Sequence, residues 1–247
     1  MTATRAPARE SLRALAIVHQ DDAGPGVFAD AMRSRGVELE SWLVAEQASP
    51  PRDPDNYDAV LSFGGAMHVD DEHRHPWLRK EKATLAELLE RQVPLLGVCL
   101  GAQLLAEAAG APARRASRPE IGWYEVELTA EAEGDPLLAP LGPRFDAFEW
   151  HSYEFPLPPG ATPLAASASC LQAYRLGASA WGIQFHAEVT MDDVEAWIGD
   201  YRSDEDAVRI GLDPGQLRKR TEGAIGHWNE LGRGLCERFL AAAATRA

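Results

Sequence analysis

Apolar and polar positions follow two alternating rhythms over the first 110 residues. "LRALAIVHQ" (12–20) is a short, nearly continuous apolar run ending in polar residues, the pattern of a strand buried on both faces. "PGVFADAMRSRG" (25–36) follows, with Val27, Phe28, Ala31 and Met32 at helical spacing and Gly36 placed to end the helix. "VELESWLVAE" starts by alternating, as a second strand would. Turn residues in "DPDNYD" then lead to a third strand, Ala59 to Phe63, stopped by Gly64 and Gly65. Residues 75–92 give the clearest helix, with Leu78, Leu85, Leu88 and Leu89 in one stripe and charges opposite. "VPLLGVC" returns to strand, and "LGAQLLAEAAG" to helix, closed by Gly110. The alternation predicts an α/β protein with three layers: a mostly parallel central sheet with helices on both faces.

The rhythm changes after residue 117. "GWYEVELTA", "RFDAFEWHSYEF", "LAASASCLQAYRLG" and "ASAWGIQFHAE" are short runs separated by Pro and Gly. They read as a small added β-region laid against the first half. Residues 191–247 return to helix in "MDDVEAWIGDYR" and "EGAIGHWNELGRGLCERFLAAAA", with "GLDPG" as the turn between them. The expected division is a flexible N-terminus at 1–10, one domain at 11–190, and a helical C-terminal extension at 191–247 packed on that domain. Trp197 and Trp228 lie on helical stripes and read as packing residues. The extension could cover a sheet edge, cap a site, or form an oligomer contact.

Composition narrows the partners. A formal net charge of −14 disfavours nucleic acid and anionic membrane surfaces. The apolar run near the N-terminus is too short for a signal-peptide core or a membrane span, and no later run reaches one. These features point to a cytoplasmic location. Cys99, Cys170 and Cys236 are odd in number and widely spaced, with no C-x-x-C pair, so neither a disulfide scaffold nor a zinc site is expected. His68, His73 and His75 lie in the charged loop "MHVDDEHRHPW", which reads as solvated cover for a pocket rather than as a metal cluster.

Candidate chemistry gathers at the carboxyl ends of the expected strands, where open α/β sheets bind ligands. Cys99 sits where strand becomes helix, between Gly97 and Gly101. A sharp strand-to-helix turn needs small flanking residues and holds its central side chain exposed. The helix N-terminus favours a thiolate there, although a lone cysteine can also be a small buried core residue. "WGIQFHAEV" offers His186 as a base and Glu188, two residues on along a strand and so on the same side, to orient it. The amides of Gly64 and Gly65 can join that of Leu100 in stabilising an oxyanion; the same glycines would equally serve a plain turn.

"GVCLGAQLLAEAAG", with "SFGGAMHVDD" upstream and "WGIQFHAE" downstream, resembles the class I glutamine amidotransferase domain, most nearly the stand-alone relatives of the GMP synthetase glutaminase domain. The resemblance spans residues 12 to 190. It implies that Cys99 attacks the side-chain amide of L-glutamine, that His186 shuttles the proton, and that Glu188 holds His186. Gly65 and Leu100 are implied as oxyanion donors, with Gly64 shaping the turn and Gln103 binding the amino-acid end. "RPEIGWYEVELT" matches the family's E-I-G segment, so Glu120, Ile121 and Gly122 are expected to line or brace the pocket. "EWHSYEF" matches its W-H-G-D segment with His151 retained, Ser152 in the small position and Tyr153 where aspartate is usual; these three are expected at the substrate. Asp70 and Asp71, with His73, are placed to touch a substrate amine.

No cofactor is needed for this chemistry. The chain carries no phosphate-binding G-x-x-x-x-G-K-[ST] loop and too little additional sequence for an ATP-dependent synthetase. The expected function is therefore hydrolysis of glutamine through a γ-glutamyl thioester, supplying ammonia to a separate synthase partner. Tyr153 and the helical tail keep open an alternative, a stand-alone hydrolase of another γ-glutamyl amide or peptide. A non-catalytic regulatory or scaffold role on the same fold is a third reading, opposed by the presence of all three reactive side chains.

Overall fold

A computed structural model describes residues 11–245; the expected flexible N-terminus at 1–10 lies outside the described residues. The first half follows the alternating pattern: β1 (Arg13–Val18), α1 (Gly26–Ser34), β2 (Glu38–Leu43), β3 (Ala59–Ser62), α2 (Trp77–Glu90), β4 (Leu95–Val98) and α3 (Leu100–Ala108). Then come β5 (Arg114–Leu128), β6 (Arg144–Glu154), β7 (Ala161–Ala166), β8 (Leu171–Leu176) and β9 (Ala180–Ile183). Three helices close the chain: α4 (Met191–Asp200), α5 (Glu205–Arg209) and α6 (Pro214–Ala244).

All nine strands form one sheet, in the order β2-β1-β3-β4-β9-β8-β7-β5-β6. The run from β2 to β9 is parallel and the run from β9 to β6 antiparallel. The later strands therefore extend the parallel sheet through the β8–β9 pairing instead of lying against it as a separate patch. The sheet also curls. β6 is its last strand, yet the Phe148 carbonyl accepts a 2.9 Å bond from the His186 amide just beyond β9.

β1 shows why both faces are covered. Ala14, Ala16 and Val18 pack with α1 and α6, whereas Leu15 and Ile17 pack with α2 and α3. Both sets are buried, which is why the strand reads as a continuous apolar run. In α2, Leu78, Leu85 and Leu88 are buried, each stabilising by about 2 kcal/mol if fully withdrawn from water. Glu81 lies on that same buried face, against the expectation that the charges stay opposite the stripe.

The expected turn "GLDPG" is a helix start. The Asp213 carboxylate accepts bonds from the Gly215 and Gln216 amides at 2.9 and 3.0 Å, and Pro214 occupies the first helical position, where a missing N–H costs nothing. α6 consequently runs for 31 residues and packs on α1 and α4.

Candidate functional site

β4 delivers Cys99 at its carboxyl end. The residue has φ of 50°, a left-handed conformation that a non-glycine side chain adopts only under constraint. The constraint is close packing on both sides of the turn. A Cβ at Gly101 would fall on the Ser62 carbonyl of β3, and one at Gly97 on the backbone of Gly101 and Ala102. The sulfur is consequently held up at the start of α3, beside the Trp150 carbonyl at 3.8 Å.

β9 delivers His186 and Glu188 to the same edge. His186 Nδ1 lies 2.8 Å from Glu188 Oε1, and the ring lines the same cleft as Cys99, whose charge acts on it. Burial acts to lower the His186 pKa, but the charges of Glu188 and Cys99 outweigh it and hold the imidazole well above its ordinary value. The row is therefore poised as an imidazolium between two anion-capable groups.

The short turn carrying these residues is gripped from several directions. The His186 amide donates to Phe148 of β6, and the Val27 amide at the start of α1 donates to the Glu188 carbonyl at 2.8 Å. From α6, Trp228 Nε1 donates to the His186 carbonyl at 2.8 Å and Asn229 Nδ2 to the Val189 carbonyl at 2.7 Å. Gly232, one turn further, lies directly on the Ala187 carbonyl. From α4, Trp197 packs edge-on against the His186 ring at 4.9 Å between centroids. The C-terminal helices thus belong to the site, a role beyond the simple packing read from their sequence.

Gly64 and Gly65 complete the crevice. Among the described residues, neither the Gly65 amide nor the Leu100 amide donates a hydrogen bond, and both residues line the cleft with Cys99. The cleft has a volume of about 570 Å³, more than a glutamine side chain fills. Gln103 lines it too, its amide donating to the Tyr153 carbonyl and to Gln184 Oε1 at 3.3 and 3.2 Å. His151, Ser152 and Tyr153 form one wall, with Arg115 and Asp206 beyond. Tyr153 stacks on His68 at 4.3 Å and donates to Asp70 at 3.2 Å, so the loop after Gly65 is fastened to this wall. Asp71 accepts from the His68 amide at 3.1 Å. Asp70 and Asp71 shape that loop but are not among the cleft-lining residues. Ile121 does line the cleft, while Gly122, at φ of 115°, faces Leu217 of α6.

A second Cys-His-Glu grouping, Cys170, His151 and Glu120, stands beside the first with its ligand atoms within 4.8 Å of one another. These donors could hold a metal by type, but they are engaged with one another. Glu120 Oε2 accepts from Gln172, Ser167 and His151 at 2.8, 3.0 and 3.2 Å. His151 Nδ1 donates to the Tyr153 carbonyl at 2.9 Å. Burial, and then the Glu120 charge, pushes the Cys170 thiol far up, the opposite of what a nucleophile needs. The grouping braces the Tyr153 wall. Beneath it Glu149 is fully buried, with neither oxygen hydrogen-bonded among the described residues; burial and the Glu120 charge raise its pKa well above the carboxylate range.

Sequence reasoning passed over His19, Glu81, Glu149 and the roles of Trp197 and Trp228. His19 did carry a signal, since it ends a buried strand at the carboxyl edge.

A thiol, an imidazole and a carboxylate in one row, at the carboxyl edge of a parallel sheet and beside unpaired amides, define a cysteine-dependent hydrolase or amidotransferase. The chain belongs to the class I glutamine amidotransferase family, whose model matches residues 26–197. It is 31% identical over 188 residues to the glutamine amidotransferase-like protein YfeJ of Salmonella typhimurium, covering 74% of this chain and 78% of that one. It is 31% identical over 147 residues to a glutamine-hydrolysing GMP synthase component of Saccharolobus solfataricus, covering 57% and 74%. Among solved structures, a glutamine amidotransferase from Thermotoga maritima superposes with a TM-score of 0.84 at 30% identity, over 94% of this chain and 99% of that one. No described helix is long and apolar enough to cross a membrane.

Proposed function

We propose that the chain hydrolyses the side-chain amide of L-glutamine with Cys99 as nucleophile, His186 as acid and base, and Glu188 as its orienter. The observation that carries this reading is the strained elbow at Cys99 facing a His186 ring already bonded to Glu188 at 2.8 Å. The Cys99 sulfur attacks the amide carbon, and the developing oxyanion meets the Gly65 and Leu100 amides. The carbon–nitrogen bond breaks as His186 gives its proton to the departing ammonia. Water then attacks the γ-glutamyl thioester, His186 takes its proton, and glutamate leaves as the proton returns to sulfur. Gln103, with the His151–Tyr153 wall, holds the amino-acid end. The 11–190 region supplies the reacting groups, and the 191–247 extension supports them through Trp197 and Trp228. The ammonia would pass to a separate synthase partner, in keeping with the GMP synthase name of the Saccharolobus relative.

A second reading is a hydrolase of another γ-glutamyl amide. Tyr153, which stands at the aspartate position of the W-H-G-D segment this stretch resembles, gives the cleft an aromatic wall, and the cleft is roomier than glutamine requires. Ammonia and glutamate release from L-glutamine, measured with Cys99→Ala as control, tests the first reading. Cysteine-dependent release supports it. Release from γ-glutamyl amines but not from glutamine would transfer support to the second.

A further inference from the structure

Behind the Gly64–Gly65 turn lies a buried charged pair that the chemistry above does not use. His19 follows β1, and its side chain and that of Glu81 are both 0% exposed. His19 Nδ1 lies 2.9 Å from the Gly64 carbonyl oxygen, and Nε2 lies 2.8 Å from Glu81 Oε2. A carbonyl and a carboxylate can only accept, so both ring nitrogens donate and the ring is an imidazolium. Burial works against that charge, but Glu81 outweighs it. Glu81 is itself fixed, accepting from Ser62 Oγ at 2.7 Å, and Trp77 stacks on the His19 ring at 5.4 Å.

The Gly64 carbonyl and the Gly65 N–H belong to one planar peptide unit and point in opposite directions. Whatever fixes the oxygen also fixes the hydrogen. Two successive glycines give this unit little conformational preference of its own, so its orientation must come from a neighbour. His19 holds the oxygen on one side. On the other, a Cβ at Gly64 would meet His186 Cε1 at 2.9 Å, so the turn runs between the two histidines.

We propose that His19, backed by Glu81, is a positioning residue that locks the Gly64–Gly65 peptide so that the Gly65 N–H faces the oxyanion that forms when Cys99 attacks. The proposal rests on the reading of Gly65 as an oxyanion donor. An imidazolium clamps the carbonyl with a charge-assisted bond, so the donor does not reorient as negative charge develops, which is the condition for electrostatic preorganisation.

The test compares the parent with His19→Leu and His19→Asn. The asparagine amide can replace the Nδ1 donor but falls short of Glu81. Binding of the γ-aldehyde analogue of glutamine reports the oxyanion site, because its thiohemiacetal with Cys99 places an oxygen there. L-glutamate binding and iodoacetamide alkylation of Cys99 report the rest of the site. In His19→Leu the aldehyde affinity is expected to fall by about 10²-fold, the scale of losing one oxyanion donor. Glutamate affinity and alkylation rate stay unchanged, His19→Asn recovers most of the loss, and a crystal structure of His19→Leu shows the peptide turned. Undiminished aldehyde affinity with the peptide still in place would overturn the lock. If the parent itself forms no Cys99-dependent adduct, the oxyanion reading fails, and the peptide orientation in the His19→Leu crystal still decides the lock. Should the leucine variant not fold, His19→Phe combined with Glu81→Gln takes its place, since it keeps the ring against Trp77, removes the donor to Gly64 and leaves no buried charge unpaired.

Discussion

Helix α6 contains two glycines at which the same substitution should act with opposite sign. Gly223 faces open space, and nothing lies within 4 Å of a Cβ built there. Gly223→Ala therefore gains helix propensity alone, about 1 kcal/mol. Gly232 is buried, and its Cβ would land on the Ala187 carbonyl and 3.3 Å from Val27 Cγ2. The propensity gain is the same, but overpacking costs about 1–3 kcal/mol even against movable side chains. A backbone carbonyl in a turn held by Trp228, Asn229, Phe148 and Val27 has less room to yield. With the cost at the upper end of that range, the net at Gly232 is a loss of about 2 kcal/mol. For a chain of this length, 1 kcal/mol moves Tm by about 2–4 °C, so calorimetry should separate the variants clearly, with Gly223→Ala above the parent and Gly232→Ala below it. Ala187 lies between His186 and Glu188, so displacement of α6 should also lower glutaminase turnover in Gly232→Ala while Gly223→Ala keeps it. A Gly232→Ala protein as stable and as active as Gly223→Ala would refute the close approach of α6 to the turn.

The two Cys-His-Glu groupings separate by reactivity: iodoacetamide should label Cys99 well before Cys170, and Cys99→Ala should abolish turnover while Cys170→Ser retains it. Faster labelling of Cys170, seen by peptide mass mapping, would reverse the assignment. Glu188→Gln places an amide N–H against His186 Nδ1 and so favours the tautomer that cannot accept the Cys99 proton; kcat should fall by about 10²–10⁴-fold, and parental rates at every pH would contradict the orienting role. Glu149 binds its proton more tightly folded than unfolded, so its contribution to stability is complete below about pH 4, the unfolded carboxyl range, and is lost as pH rises toward its raised folded value. Glu149→Gln should therefore gain stability over the parent progressively from pH 5 to pH 8 in urea titrations, and an equal difference at both pH values would show that Glu149 titrates normally.

How much of this was legible in the sequence depended on the range of each constraint. The Cys99 elbow was legible because half of its requirement is local: the clashes that exclude a side chain at Gly97 involve residues a few positions away, although Gly101 is required by Ser62 on β3. His186 and Glu188 were legible as a pair for the same reason, since alternation along an extended segment puts them on one side. The antiparallel half was legible as strands but not as a continuation of the parallel sheet, because strand content does not reveal which edge a strand joins. The β8–β9 pairing, Ala173 to Ile183 through Leu176 to Ala180, is set by a hairpin whose partner edge is specified elsewhere.

Glu81 marks the limit of periodicity as a guide. A charge three residues from Leu78 in an amphipathic helix looks like a boundary residue at the edge of the stripe. It is buried because two groups at the carboxyl ends of β1 and β3, His19 and Ser62, offer it a proton donor each, and a buried carboxylate is tolerable only with such partners. The tryptophans of the extension pose the same difficulty from the other side. Trp197 and Trp228 satisfy a helical stripe whether they meet an inert core or the His186 turn, and the apolar pattern is identical in the two cases. What distinguishes them is the polar end of the indole: Trp228 Nε1 must find an acceptor when buried, and the acceptor is the carbonyl of His186. A burial pattern can therefore announce that such a residue packs, while the identity of what it packs against becomes readable only once the strand order brings β6 and β9 to the same crevice.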